Sequence, residues 1–277
     1  VATKQPAMTA PALAAKMHDL ERPGRIDALV GEAAALVRSQ VASVFGNLVA
    51  VAPCALGVAA LWWLAAGQPP LSVEKARSVL ESQSILGPSF LFAAYTGVLL
   101  WLSGLFAGWA DNAFTLRRLD EAIATNRRLV RRIGAERARA RADWWKANIA
   151  GLAGNVGLGV LLGLTPDLFL FAGVPMEVRH VTLSTGQVAV ASFTLGAGIL
   201  ASMSFWLAAA GLALIGVLNV GVSFGLALRL AMRAVDISPP DRAHVYRAIR
   251  RRLLSRPLEF VWPPRDEPRA VLPGEAR

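Results

Sequence analysis

Charge is scarce in this chain: Asp, Glu, Lys and Arg make up 17% of its 277 residues, against roughly 25% in an ordinary soluble domain. So dilute a charge disfavours a water-soluble globule. Cysteine is scarcer still, Cys54 being the single one, which excludes an intrachain disulfide, a thiol pair and a cysteine-built zinc site. Three histidines are too few for a histidine-rich metal centre. Neither a metal nor a cofactor is expected. Acidic residues are also short, 19 against 29 basic ones for a net charge of +10, so the expected partners are anionic: lipid or nucleic acid.

The chain is rich in long charge-free runs. Between Arg38 and Glu74 lie 35 uncharged residues, between Glu81 and Asp111 another 29, and from Val181 to Leu228 a further 48. A spanning helix needs about 20 apolar residues. The expected architecture is an all-α, polytopic membrane helix bundle with spans over 41–66, 85–110, 147–166 and 205–228. Pro166-Asp167 is taken as the end of the third span. Residues 181–195 carry Thr, Ser and Gln and read as a re-entrant or half-inserted helix. Lysines and arginines choose the orientation. Residues 1–40, 111–146 and 229–277 hold 5, 10 and 11 of them, whereas the two opposite loops hold 2 and 1. That places both termini in the cytoplasm.

The amino-terminal region 1–40 reads as an Ala- and Pro-rich linker over 1–15, then an amphipathic helix (Ile26, Leu29, Val30, Val37, Val41) running into the first span. With no start methionine and no signal peptide, the expectation is a piece of a longer chain whose remainder is a partner of this part. The loop 111–146 reads as an arginine-coated helical loop carrying Arg117, Arg118, Arg127, Arg128, Arg131 and Arg132. The tail 229–277 repeats the theme with Arg247, Arg250, Arg251 and Arg252. Such segments suit the anionic phospholipid of a bilayer surface; DNA uses the same charges, but no base-reading motif accompanies them.

Three amides stand out inside the spans. Asn47 lies nine residues from Arg38, Asn155 nine from Lys146 and Asn219 ten from Arg229, so all sit about 13–15 Å beyond the charges and form one polar layer. Two readings are open: interhelical hydrogen bonds that hold the bundle together, or a polar passage or ligand site. No acid or base accompanies the amides at that depth, which argues against a proton relay or cation carrier. Glycines four apart (Gly104 and Gly108, Gly159 and Gly163, Gly221 and Gly225) signal close helix packing or homo-oligomerisation. His180, beside Arg179, reads as an outer-loop histidine or a headgroup contact.

Five stretches are familiar in their wording: SQVASVFGNLVAVAP (39–53), FAAYTGVLLWLSGLFAGWADN (92–112), NIAGLAGNVGLGVLLGLTP (148–166), VRHVTLSTGQ (178–187) and LIGVLNVGVSFGLAL (214–228). In order along the chain, they resemble the carboxy-terminal membrane portion of bacterial site-specific recombinases of the gonococcal (Gcr) type. The resemblance implies an inner-membrane protein of Gram-negative bacteria, considerably longer than this chain and named for DNA recombination. The residues do not supply that chemistry. His244-Val245-Tyr246-Arg247 matches the H-x-x-R element of a tyrosine recombinase, yet Tyr246 lies inside it and no tyrosine follows. Ser255-Arg256 is more simply a helix end than a serine nucleophile. No catalytic residue is assigned. Three functions compete: a non-catalytic anchor or scaffold on anionic lipid, recombination, and a transporter or lipid-handling protein.

Overall fold

The computed structural model describes Met17 and residues 24–264. The expected linker and the last residues of the tail lie outside them. Among the described residues the structure is all-helical. Its helices are α1 (Arg25–Ala66), α2 (Val73–Ser82), α3 (Ser89–Leu116), α4 (Leu119–Ala124), α5 (Arg127–Ile133), α6 (Ala135–Phe171), α7 (Val181–Leu195), α8 (Met203–Ala234) and α9 (Pro239–Ser255). Short 3-10 turns cover Ala197–Ala201 and Pro257–Phe260. Four helices, α1, α3, α6 and α8, are long and apolar enough to cross a membrane.

Helix ends follow local chemistry. α1 starts after Gly24 and stops at Gly67, both at positive φ (80° and 69°), where a Cβ would be strained. It is one unbroken helix, so the amphipathic segment and the first span are continuous. α6 departs from the expectation. Its helix passes through Pro166-Asp167 and ends only at Phe171. Proline removes the donor that would meet the Leu162 carbonyl, a loss that apolar helices tolerate. The arginine-coated loop is built of short helices joined to the start of α6. Asn126 breaks it, its Oδ1 accepting from the Arg128 and Leu129 N–H groups at 3.0 Å to start α5.

α3 and α8 form the centre. The apolar stretches of these two helices are 39% and 33% buried, against 6% for α1 and 11% for α6, so the last two are the outer walls. α6 packs on α3, and α1 is joined to α8 largely through α7. Three glycines permit the closest approaches. A Cβ at Gly211 would lie 1.8 Å from the Gln83 carbonyl oxygen, one at Gly97 would lie 2.8 Å from Val222 Cβ, and one at Gly157 would lie 2.8 Å from the Phe106 ring. Five of the six four-apart glycines take no part in such approaches within this chain. Gly108, Gly159, Gly163, Gly221 and Gly225 meet nothing within 4 Å, because those faces turn away from the neighbours in this chain.

At the arginine-rich end, Leu29 and Ala33 of α1, Leu228 and Met232 of α8, and Val245 of α9 form one buried apolar cluster. Trp101 packs against it, consistent with a packing rather than an interfacial role. Uncovered hydrocarbon side chains line the flanks, with Leu64 74%, Val156 64%, Val217 68% and Phe171 94% exposed. In water such a surface would drive association; in lipid it is ordinary.

Candidate functional site

After α6 the chain passes from the surface to the interior: Val174, Pro175 and Glu177 are exposed and Arg179 is buried. Residues 174–180 form no helix or strand, and α7 then starts at Val181 beside Ile215 of α8. Buried backbone outside a helix leaves peptide groups without helical partners, a severe cost where water is absent. Two side chains answer it. The Thr96 hydroxyl oxygen accepts the Arg179 N–H at 2.9 Å. Asn219 does the rest: its Oδ1 accepts the Val181 N–H at 3.1 Å, and its Nδ2 donates to the Arg179 carbonyl at 3.0 Å and to the Ala93 carbonyl at 2.9 Å. With 1% exposure and three bonds, Asn219 is a clamp joining α8, α3 and the returning segment.

A cavity of about 150 Å³ opens beside this clamp. Asn47, Asn155 and Asn219 all line it, together with Gln40, Ser43, Thr182 and Ser223. The three amides differ in state. Asn47 and Asn155 are exposed and their side chains make no hydrogen bond among the described residues, so their donors and acceptors are free for a guest. His180 lines the same cavity. It therefore does not sit in an outer loop: it is the residue before α7, half-buried, and its Nδ1 is enclosed without a partner. Its place beside the amides is not legible in the sequence, because the position of residues 179–181 is set by Asn219 and Thr96, residues distant in the chain. Arg179 is likewise 7% exposed, its guanidinium paired with Glu177, so it is not a free loop cation.

The basic residues also separate into committed and uncommitted groups. Arg118 is bound to Glu121 at 2.6 Å, Arg252 to Glu259 at 2.7 Å, and Arg247 Nε donates to the Ala243 carbonyl at 3.3 Å. Arg117, Arg127, Arg128, Arg131, Arg132, Arg250 and Arg251 are exposed and reach no acid among the described residues. The Glu259 carbonyl also accepts from Arg38 Nη1 at 2.7 Å, which ties the tail to α1.

α4 is moored to α6 by Asp120 and Lys146, 2.7 Å apart. The Lys146 ammonium holds the Asp120 carboxyl below its usual range, and the carboxylate in turn raises Lys146. A depressed carboxylate stabilises the docked form above its unfolded pKa and loses that effect as pH falls through the folded one. Lys146 loses its share only as pH rises through its raised value. Amide exchange of residues 119–124 is accordingly expected to quicken on acidification below the ordinary aspartate range. In Asp120→Asn that acid step should be absent; an unchanged step would refute the assignment.

No cluster of His, Cys, Asp or Glu among the described residues could hold a metal ion. A family model described as site-specific recombinase matches residues 1–263. The chain belongs to the site-specific recombinase family. No curated protein matches it, and no solved structure does. Tyr246 and His244 are exposed two residues apart on α9, and the Tyr246 hydroxyl makes no hydrogen bond among the described residues. A phosphotyrosyl mechanism needs the nucleophile beside a base and phosphate-binding donors. α9 places Arg247 and Arg250 beside Tyr246 on an exposed surface.

Proposed function

We propose that this chain is the membrane-embedded module of its protein, seated in the bacterial cytoplasmic membrane with the arginine-rich end in the cytoplasm and against anionic headgroups. One observation carries the reading: exposed arginines gather at a single end of a bundle whose flanks are bare hydrocarbon side chains. The tail supports it, since Leu254, Leu258 and Trp262 are 72%, 73% and 73% exposed next to Arg250 and Arg251. An apolar strip flanked by cations is the composition of an element lying in a bilayer interface. In this reading the chain anchors or organises the rest of its protein, and phosphodiester chemistry does not belong to its residues.

A second reading is favoured by the cavity itself. A short helix starting inside a bundle, preceded by non-helical backbone and beside free amides, is the arrangement that transport proteins use around a polar guest. The free groups are carboxamides and an imidazole, so the guest would be water or a small hydrogen-bonding group rather than a cation.

One experiment addresses both. In a Cys54→Ala background, single cysteines at positions 130 and 262 should react with a membrane-impermeant maleimide only from the cytoplasmic side, and one at 190 should not. Reaction of position 130 from the outside overturns the orientation. Asn155→Cys should label from the cytoplasmic side if the cavity is hydrated; silence there removes the second reading and leaves the first intact.

A further inference from the structure

The cytoplasmic loop holds a second cavity, of about 630 Å³, between the end of α3 and the helices α4 and α5. Its floor is apolar: Phe114, Leu119, Ile123 and Leu129. Two cations, Arg128 and Arg132, complete the lining. They are four residues apart on α5, so they project from one face.

We propose that this cleft binds one anionic phospholipid of the cytoplasmic leaflet, with hydrocarbon on the apolar floor and the phosphate on Arg128 and Arg132. The chemistry requires both halves. A free inorganic anion would leave the apolar floor wet, and an uncharged lipid would leave two guanidiniums uncompensated. Asp120 and Glu121 of α4 do not neutralise them, because Asp120 is taken by Lys146 at 2.7 Å and Glu121 by Arg118 at 2.6 Å. Neither Arg128 nor Arg132 has an ion-pair partner among the described residues. Placement agrees with the ligand. Phe114 lies two residues before the end of α3, so the cleft sits where a spanning helix leaves the membrane, and Trp144 and Trp145, 52% and 36% exposed, stand nearby in sequence at the start of the third span. The size suits a guest of several carbon atoms, within the roughly 300–1,000 Å³ usual for ligand pockets.

The proposal rests on the orientation argued above, yet it fails separately from it. Native mass spectrometry of the whole chain in mild detergent, titrated with phosphatidylglycerol, phosphatidylcholine or glycerol 3-phosphate, is the test. Wild type should retain one phosphatidylglycerol in preference to phosphatidylcholine, and glycerol 3-phosphate should not displace it. Arg128→Gln/Arg132→Gln should weaken retention roughly thirtyfold, as expected for two basic residues at an anionic surface. Arg250→Gln/Arg251→Gln, which leaves the cleft untouched, should leave that tightest lipid in place. Equal retention in both double variants, equal retention of phosphatidylcholine, or displacement by glycerol 3-phosphate would each overturn the site. Leu129→Gln supplies a second check on the apolar half and should lose the lipid while keeping both arginines. If the cysteine at 130 labels correctly and these results fail, the lipid site alone is wrong; if that labelling fails, the orientation is.

Discussion

Replacing Asn219 with leucine is expected to destabilise the bundle by about 2–4 kcal/mol, far more than the same change at Asn47 or Asn155. Leucine keeps the branched shape but strands the Val181 N–H and the Arg179 carbonyl, which Asn219 now satisfies at 3.1 and 3.0 Å. Each buried polar group left without a partner costs about 1–3 kcal/mol. Asn47 and Asn155 are exposed and bond nothing among the described residues, so Asn47→Leu and Asn155→Leu should stay within about 0.5 kcal/mol. Unfolding midpoints in mixed micelles would measure all three. Equal, small effects would mean that the returning segment is not held by Asn219. A further readout separates the clamp from general packing: Asn219→Leu should accelerate proteolysis between residues 174 and 180, and a leucine-to-alanine change elsewhere in α8 should not.

Gly211→Ala is the second large effect. The new methyl would stand 1.8 Å from the Gln83 carbonyl oxygen, a backbone atom that no rotamer change can move. The contact also involves the Ile85 N–H, which donates to the Leu207 carbonyl at 3.1 Å, so α8 and the turn before α3 must separate to admit the methyl. Overpacking of this kind costs about 1–3 kcal/mol, partly offset by the roughly 1 kcal/mol helix preference of alanine over glycine. Gly221→Ala and Gly225→Ala feel only that preference within this chain, since a Cβ there meets nothing within 4 Å. Thermal melts should therefore fall for Gly211→Ala and hold or rise for the other two. A fall at Gly221 or Gly225 would reveal a contact with another chain on that face, which the sequence spacing of these glycines also allows.

The amides show how much of the site was legible in advance. Counting residues from the flanking charges brings Asn47, Asn155 and Asn219 to a similar depth, because a helix advances by a fixed rise. It says nothing of azimuth. Whether a side chain points at a neighbour, into a cavity or at lipid depends on how each helix is rotated, and that is set by close approaches such as Gly97 to Val222. Arginines divide in the same way. Their crowding at one end is plain from the sequence, but the commitment of Arg118 and Arg252 to Glu121 and Glu259 depends on short helices whose boundaries are local.

By itself the sequence determined the all-helical character of this chain, the number of its long apolar helices, the break near Gly196 and the segregation of its arginines, since each follows from composition over a local stretch. Only the tertiary structure decided that residues 174–180 turn inward, that His180 faces the amides, that Asn219 is spent on backbone while Asn47 and Asn155 are free, and that Arg128 and Arg132 flank an apolar cleft. Those outcomes depend on satisfying peptide groups and filling volume between segments remote in the chain, and neither demand is written in any one of them.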